Sequence, residues 1–159
     1  MPFLDRPWYE DMPGRRFKLL RPLEYEGESE TFRIPEGYVT DFASVPQSFY
    51  GFFPPYGAYT RAAILHDWLI TDRPDVSSRD TDGLFRRVMR EEGTPFAIRW
   101  MMWSAVRLAA PFNPKRRPAR LGRDLPALLL AVIPGVLIVL VGALVFVTRV
   151  ILVPNGRQR

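Results

Sequence analysis

The sequence contains no cysteine and only one histidine, His66. The absence of cysteine excludes disulfide bonds, thiolate metal sites and a cysteine nucleophile, and it leaves the redox compartment open. Residues 1–12 contain acidic residues and prolines where a secretory signal has a basic residue followed by an apolar run. We therefore expect the N-terminal part of the chain to stay in the cytosol.

One long segment lacks charge altogether. Leu125 to Thr148 is a run of 24 residues without a charged side chain. As a helix it would extend about 36 Å, against roughly 30 Å of bilayer hydrocarbon. A buried soluble helix is the alternative, but a chain of this size has no core that could surround a helix apolar on every side. The segment therefore predicts a single transmembrane helix at residues 125–148, followed by a short basic tail at 149–159.

The net charge of +5 is unevenly distributed. Residues 1–112 carry 14 basic and 16 acidic side chains, whereas residues 113–159 carry eight basic and one acidic. Because the basic excess flanks the predicted span, it indicates a lipid bilayer rather than nucleic acid as the partner. The linker at 113–124 holds five cations: Lys115, Arg116, Arg117, Arg120 and Arg123. Cations before a span stay on the cytoplasmic side, so we expect a tail-anchored protein of the cell membrane with a cytoplasmic N-terminal domain.

Residues 1–112 predict one small α+β domain. Residues 1–14 are rich in proline and glycine and are expected to form an irregular arm. Alternating apolar residues after Arg16 predict a hairpin that turns at Gly27, and residues 38–40 predict a further short strand. Helices are predicted at about 60–71, 79–92 and 94–109. The expected fold is a small antiparallel sheet beside three helices, followed by the transmembrane helix. Aromatic residues at 49–56 are expected to cover the first helix, with a partner surface as the alternative.

Two polar stretches interrupt this apolar pattern, TDFASVP at residues 40–46 and the HD pair within AAILHDWL. The order of IPEGYVTDFASVP, FPPYGAYTRAAILHDWL, SSRDTDGLF and a helix ending in WSAVRLAA resembles the domain of unknown function 1353 family of phages and bacteria. The resemblance covers about residues 16–110 and implies a small α+β domain in a phage or prophage context, with no settled activity. The recurring polar positions of the family correspond to Asp41, Ser44, His66, Asp67 and Asp82.

These five residues support competing chemical interpretations. Histidine and three carboxylates, from Asp41, Asp67 and Asp82, would favour Mg²⁺ or Mn²⁺ and a metal-dependent hydrolase; otherwise no cofactor is expected. The HD pair alone is a poor chelate because adjacent helix positions point about 100° apart, and Ser44 lacks the context of a serine nucleophile. The structural alternative is that Asp41 accepts a hydrogen bond from His66, while Asp82 pairs with Arg86 on the surface.

The predicted function is a membrane-anchored, non-catalytic binding or scaffolding module with an unknown protein partner. The metal-dependent hydrolase is the alternative. A holin-like or lysis-associated protein is the second alternative, because Ala127, Ala131 and Gly135 recur every four residues in the span. Such a stripe of small residues lets two membrane helices approach closely and would support a homo-oligomer.

Overall fold

The computed structural model describes residues 3–14, 16–42, 57–110 and 121–152. Ser44 and the aromatic residues at 49–56 lie outside these ranges, as do residues 111–120, which include most of the predicted linker. The described chain contains five strands and four helices: β1 Tyr9–Met12, β2 Arg16–Leu19, β3 Leu23–Glu26, β4 Thr31–Ile34, β5 Val39–Thr40, α1 Thr60–Asp72, α2 Ser78–Glu91, α3 Phe96–Ala109 and α4 Leu121–Leu152.

The strands form two small antiparallel sheets. Strands β1, β2 and β5 make one sheet in that order, and β3 and β4 make a separate hairpin. The predicted turn at Gly27 and the predicted strand at 38–40 are confirmed. The irregular arm predicted for residues 1–14 is wrong in part, since Tyr9 pairs with Leu19 and begins β1. Gly14, with φ 81°, turns the chain so that β1 can pair with β2.

The turn at Gly27 leaves no room for a side chain. Gly27 donates a backbone hydrogen bond of 3.0 Å to Glu30, and a Cβ on Gly27 would lie 2.7 Å from the same carbonyl oxygen and 3.1 Å from the Phe32 ring. The hairpin turn therefore depends on glycine at this position.

We expect Gly27→Ala to lower the free energy of unfolding by about 1–3 kcal/mol, the usual cost of overpacking. Urea denaturation followed by tryptophan fluorescence measures this loss. Ser29→Ala, at an exposed position of the same turn, is the control and should change stability little. Equal midpoints for the two variants would contradict the prediction.

The three predicted helices are confirmed as α1, α2 and α3. Helix α1 is buried over most of its surface, with Ala62, Ile64 and Leu65 at its centre. Helix α2 packs against α1 and against α3, and the hairpin contributes the fully buried residues Leu23 and Ile34. The resulting core places α1 and α2 side by side and brings α3 against α2.

Helix α4 extends beyond the predicted span at both ends. Residues 121–124 and 149–152, which we predicted to lie in the linker and tail, are helical. The segment Leu125–Leu144 is long and apolar enough to cross a membrane by length and composition, and only 12% of it is buried. One side of α4 packs against α3, where Ala131 is completely buried and Gly135 contacts Leu108.

Candidate functional site

One residue from each of α1, α2 and α3 meets inside the domain. His66 Nε2 lies 2.8 Å from Asp82 Oδ1, and Arg107 Nη1 donates a hydrogen bond of 3.0 Å to Asp82 Oδ2. The side chains of His66, Asp82 and Arg107 are 9%, 1% and 3% exposed, respectively. We call these three residues the buried triad. Because a carboxylate paired with a guanidinium only accepts hydrogen bonds, Nε2 of His66 acts as the donor.

Local structure fixes the orientation of the triad. Ser77 begins α2 by accepting a hydrogen bond of 3.2 Å from the Asp80 backbone, so Asp82 lies just after the first turn. One turn further, the Phe85 ring lies 4.6 Å from the His66 ring, centroid to centroid, at an angle of 32°. The imidazole of His66 is therefore held by the carboxylate and by an aromatic face together.

The triad joins the helices by charge as well as by packing. Both oxygens of Asp82 are hydrogen-bonded, and the side chain is almost completely enclosed. Charged groups are rarely buried in proteins unless they are paired. The carboxylate thus neutralises Arg107 inside the core, and its oxygens are closed to solvent in this arrangement.

Asp67, the other half of the predicted HD pair, lies in a different environment. Its carboxylate is close to the Tyr38 hydroxyl, which also lies 3.2 Å from Thr71 Oγ1. Burial raises the pKa of Tyr38, and the negative charge of Asp67 raises the pKa further. Asp67 therefore contributes to the contact between α1 and the segment that precedes β5.

Asp41 directly follows β5 and has an exposed side chain. The next residue, Phe42, is buried and has φ 62°, a conformation uncommon outside glycine. Its ring stacks on Phe17, with ring centroids 4.0 Å apart, which anchors the chain where it leaves the sheet. Within the described part of the chain, no group of three or more His, Asp or Glu side chains is placed to hold a metal.

The surface pair predicted between Asp82 and Arg86 is wrong. Asp82 is buried and binds Arg107, while Arg86 lies over the Trp100 ring at 4.5 Å from its centroid. His66 and Asp82 were predicted as site residues, whereas Arg107 was not. A signal for it was present, because Arg107 lies in the apolar stretch WSAVRLAA, and an arginine that is buried in such a stretch is paired.

The fold and site define a class of small α+β domains in which three helices are joined through a buried histidine–aspartate–arginine triad. The chain belongs to the DUF1353 family of proteins of unknown function, whose model matches residues 17–106. The match contains His66 and Asp82, ends one residue before Arg107 and does not include α4. No curated protein and no solved structure matches the chain.

Proposed function

We propose that this protein is a membrane-anchored member of its family whose α+β domain acts at the cytoplasmic face as a non-catalytic binding or scaffolding module. The observation that carries the proposal is the exposed apolar side of α4. Leu129, Ile133, Val139, Leu140 and Leu144 are each more than half exposed. Contiguous apolar surface of this kind marks an interaction site. The length of the apolar segment of α4 and its lack of charge fit a lipid bilayer.

The distribution of charge supports the proposed orientation. The domain at residues 1–112 is nearly balanced in charge, whereas the basic residues of the linker directly precede the uncharged apolar part of α4. Basic residues next to a span favour its cytoplasmic side and bind anionic headgroups. The same arrangement favours a cytosolic location for residues 1–112, where a protein partner would bind.

The buried triad supports a non-catalytic role for the domain. Its charged groups are enclosed and bonded to one another across three helices, as expected of groups that hold a fold together. The family resemblance to phage and bacterial proteins adds a phage or prophage context to the proposal. It gives no substrate and no named partner.

Fractionation of cells that express the full-length chain tests the proposal. We expect the protein to remain with the membranes after alkaline carbonate extraction and to be released by detergent. Protease added to inverted membrane vesicles should digest residues 1–112, and protease added to intact spheroplasts should not. Recovery of the full-length chain in the aqueous fraction without detergent would refute the membrane anchor.

A single lysine in α4 should weaken anchoring without disturbing the domain. Leu137 is exposed and lies near the middle of the predicted span, where a lysine costs about 2.5–3.5 kcal/mol on insertion scales. We expect Leu137→Lys to move much of the protein into the carbonate-soluble fraction with an unchanged melting temperature of the domain. Leu137→Ala is the matched control, and equal membrane fractions for the two variants would contradict this expectation.

A further inference from the structure

Helix α4 has two unlike sides. On one side Ala127, Ala131 and Gly135 follow one another at intervals of about one turn, and they face the domain. Ala131 is completely buried, and a Cβ added to Gly135 would collide with Leu108 Cδ1 on α3. Glycine at position 135 therefore lets the backbone of α4 lie directly against the Leu108 side chain of α3. On the opposite side Leu129 and Ile133 are 62% and 70% exposed.

This close packing limits how much of α4 is available to a bilayer. The contact between Gly135 and Leu108 holds the first half of the apolar segment against the domain. From Gly135 to Arg149, the next charged residue, the helix rises only about 21 Å at 1.5 Å per residue. The hydrocarbon of a bilayer is roughly 30 Å thick, so the uncharged part of α4 beyond the contact falls short of spanning it while α4 remains packed on α3.

Helix α3 cannot enter the hydrocarbon together with α4. Arg107 on α3 is bonded to Asp82, and Asp82 lies on α2, whose first turn carries the exposed charges of Arg79 and Asp80. Moving α3 inward would bring these charges with it, and charged side chains are costly inside a membrane. The domain must therefore stay at the surface while α4 separates from it.

We propose that α4 has two mutually exclusive positions, one packed on α3 and one crossing the bilayer, and that the contact with Leu108 restrains insertion. The inference rests on the proposed membrane function. In the crossing position the face formed by Ala127, Ala131 and Gly135 is uncovered. Self-association through this face is therefore confined to the inserted protein, since α3 occupies the same face in the packed position.

A disulfide between the two helices tests the inference. The chain has no native cysteine, so the double variant Leu108→Cys with Gly135→Cys can form only one intramolecular disulfide. Replacing Leu108 with the smaller cysteine leaves space for the Cβ added at position 135. Oxidation of the full-length variant before lipid is added should form the disulfide in most of the protein. The oxidised protein should insert into vesicles of phosphatidylethanolamine and phosphatidylglycerol several-fold less than the same protein after reduction.

The control pair is Ala105→Cys with Ile133→Cys, because both positions are exposed. It should form little intramolecular disulfide, and oxidant should leave its insertion unchanged. Failure of the first pair to cross-link would overturn the packed position. If the oxidised and reduced forms insert equally, only the mutual exclusion of the two positions is overturned. If neither the reduced variant nor the unmodified protein inserts, the proposed membrane function is overturned, and the inference fails with it.

A second variant approaches the same contact without a cross-link. Gly135→Leu places a bulky apolar group against Leu108 and should raise the inserted fraction, because it weakens the packed position. Ala143→Leu adds the same group at an exposed position of α4 and controls for hydrophobicity. Equal inserted fractions for the two variants would contradict the restraint.

Discussion

Replacing Asp82 with alanine is expected to lower the free energy of unfolding by about 3–5 kcal/mol, the typical cost of breaking a buried ion pair by removing one partner. The carboxylate accepts hydrogen bonds from His66 and from Arg107 within the core. Its removal leaves the guanidinium of Arg107 buried without its counter-charge. Since small domains are stable by about 5–15 kcal/mol, this loss is a large fraction of the total, and the variant should unfold at a much lower urea concentration than the unchanged protein.

Urea denaturation of the full chain in mild detergent, followed by circular dichroism, measures the effect. Asp80→Ala is the matched control, because Asp80 lies on the same first turn of α2 but is exposed. It removes a favourable charge at the helix N-terminus, worth about 0.3–1 kcal/mol. If the two alanine variants lose similar stability, the triad does not join the helices in the way described.

Helices α1, α2 and α3 were predictable because their signals are local. Ser77 caps α2 through its hydroxyl, Gly93 follows its end with φ 77°, and the break after α1 precedes Pro74. Each of these signals depends on the conformation of neighbouring residues alone. An apolar stripe such as that of α2 then identifies the face that packs inward.

Strand β1 could not be predicted from its own residues. Three of its four residues are exposed, so the alternation that reveals a half-buried strand is missing. The strand exists because β2 offers an edge and because the Tyr9 ring packs on Phe17 and Phe42, with centroids 5.5 and 4.9 Å away. Pairing between strands is a property of the assembled sheet and leaves little trace in so short a segment.

Two residues of the buried triad, His66 and Asp82, were predicted as site residues, but the partner predicted for Asp82 was wrong. His66 stood out as a polar residue in an apolar helix, but Asp82 lies in the charged sequence SSRDTDG and looked like a surface residue. Its burial depends on Arg107, which lies 25 residues later on another helix. The predicted membrane span differs from strand β1 and from the buried triad. A run of uncharged apolar residues is a local signal that can be recognised in the sequence, and α4 contains such a run.

Replacing the whole triad with apolar residues is expected to restore the stability that a single replacement removes. Arg107→Met alone should cost about 3–5 kcal/mol because it leaves the Asp82 carboxylate buried without its arginine, whereas exchanging a complete buried ion network for apolar residues is often neutral or stabilising. The variant carrying His66→Leu, Asp82→Leu and Arg107→Met should therefore unfold at a higher urea concentration than Arg107→Met.

Comparing the triple variant with the unchanged protein distinguishes a triad that only stabilises the fold from a triad that takes part in metal-dependent chemistry. If the triad serves only the fold, the triple variant should keep the circular dichroism, the membrane anchoring and the metal content of the unchanged protein. Elemental analysis of both purified proteins is the decisive measurement. The unchanged chain could copurify with stoichiometric Mg²⁺ or Mn²⁺ that a folded triple variant lacks. Loss of stability could not then explain the loss of metal. This outcome would replace the scaffolding role with metal-dependent chemistry at His66 and Asp82.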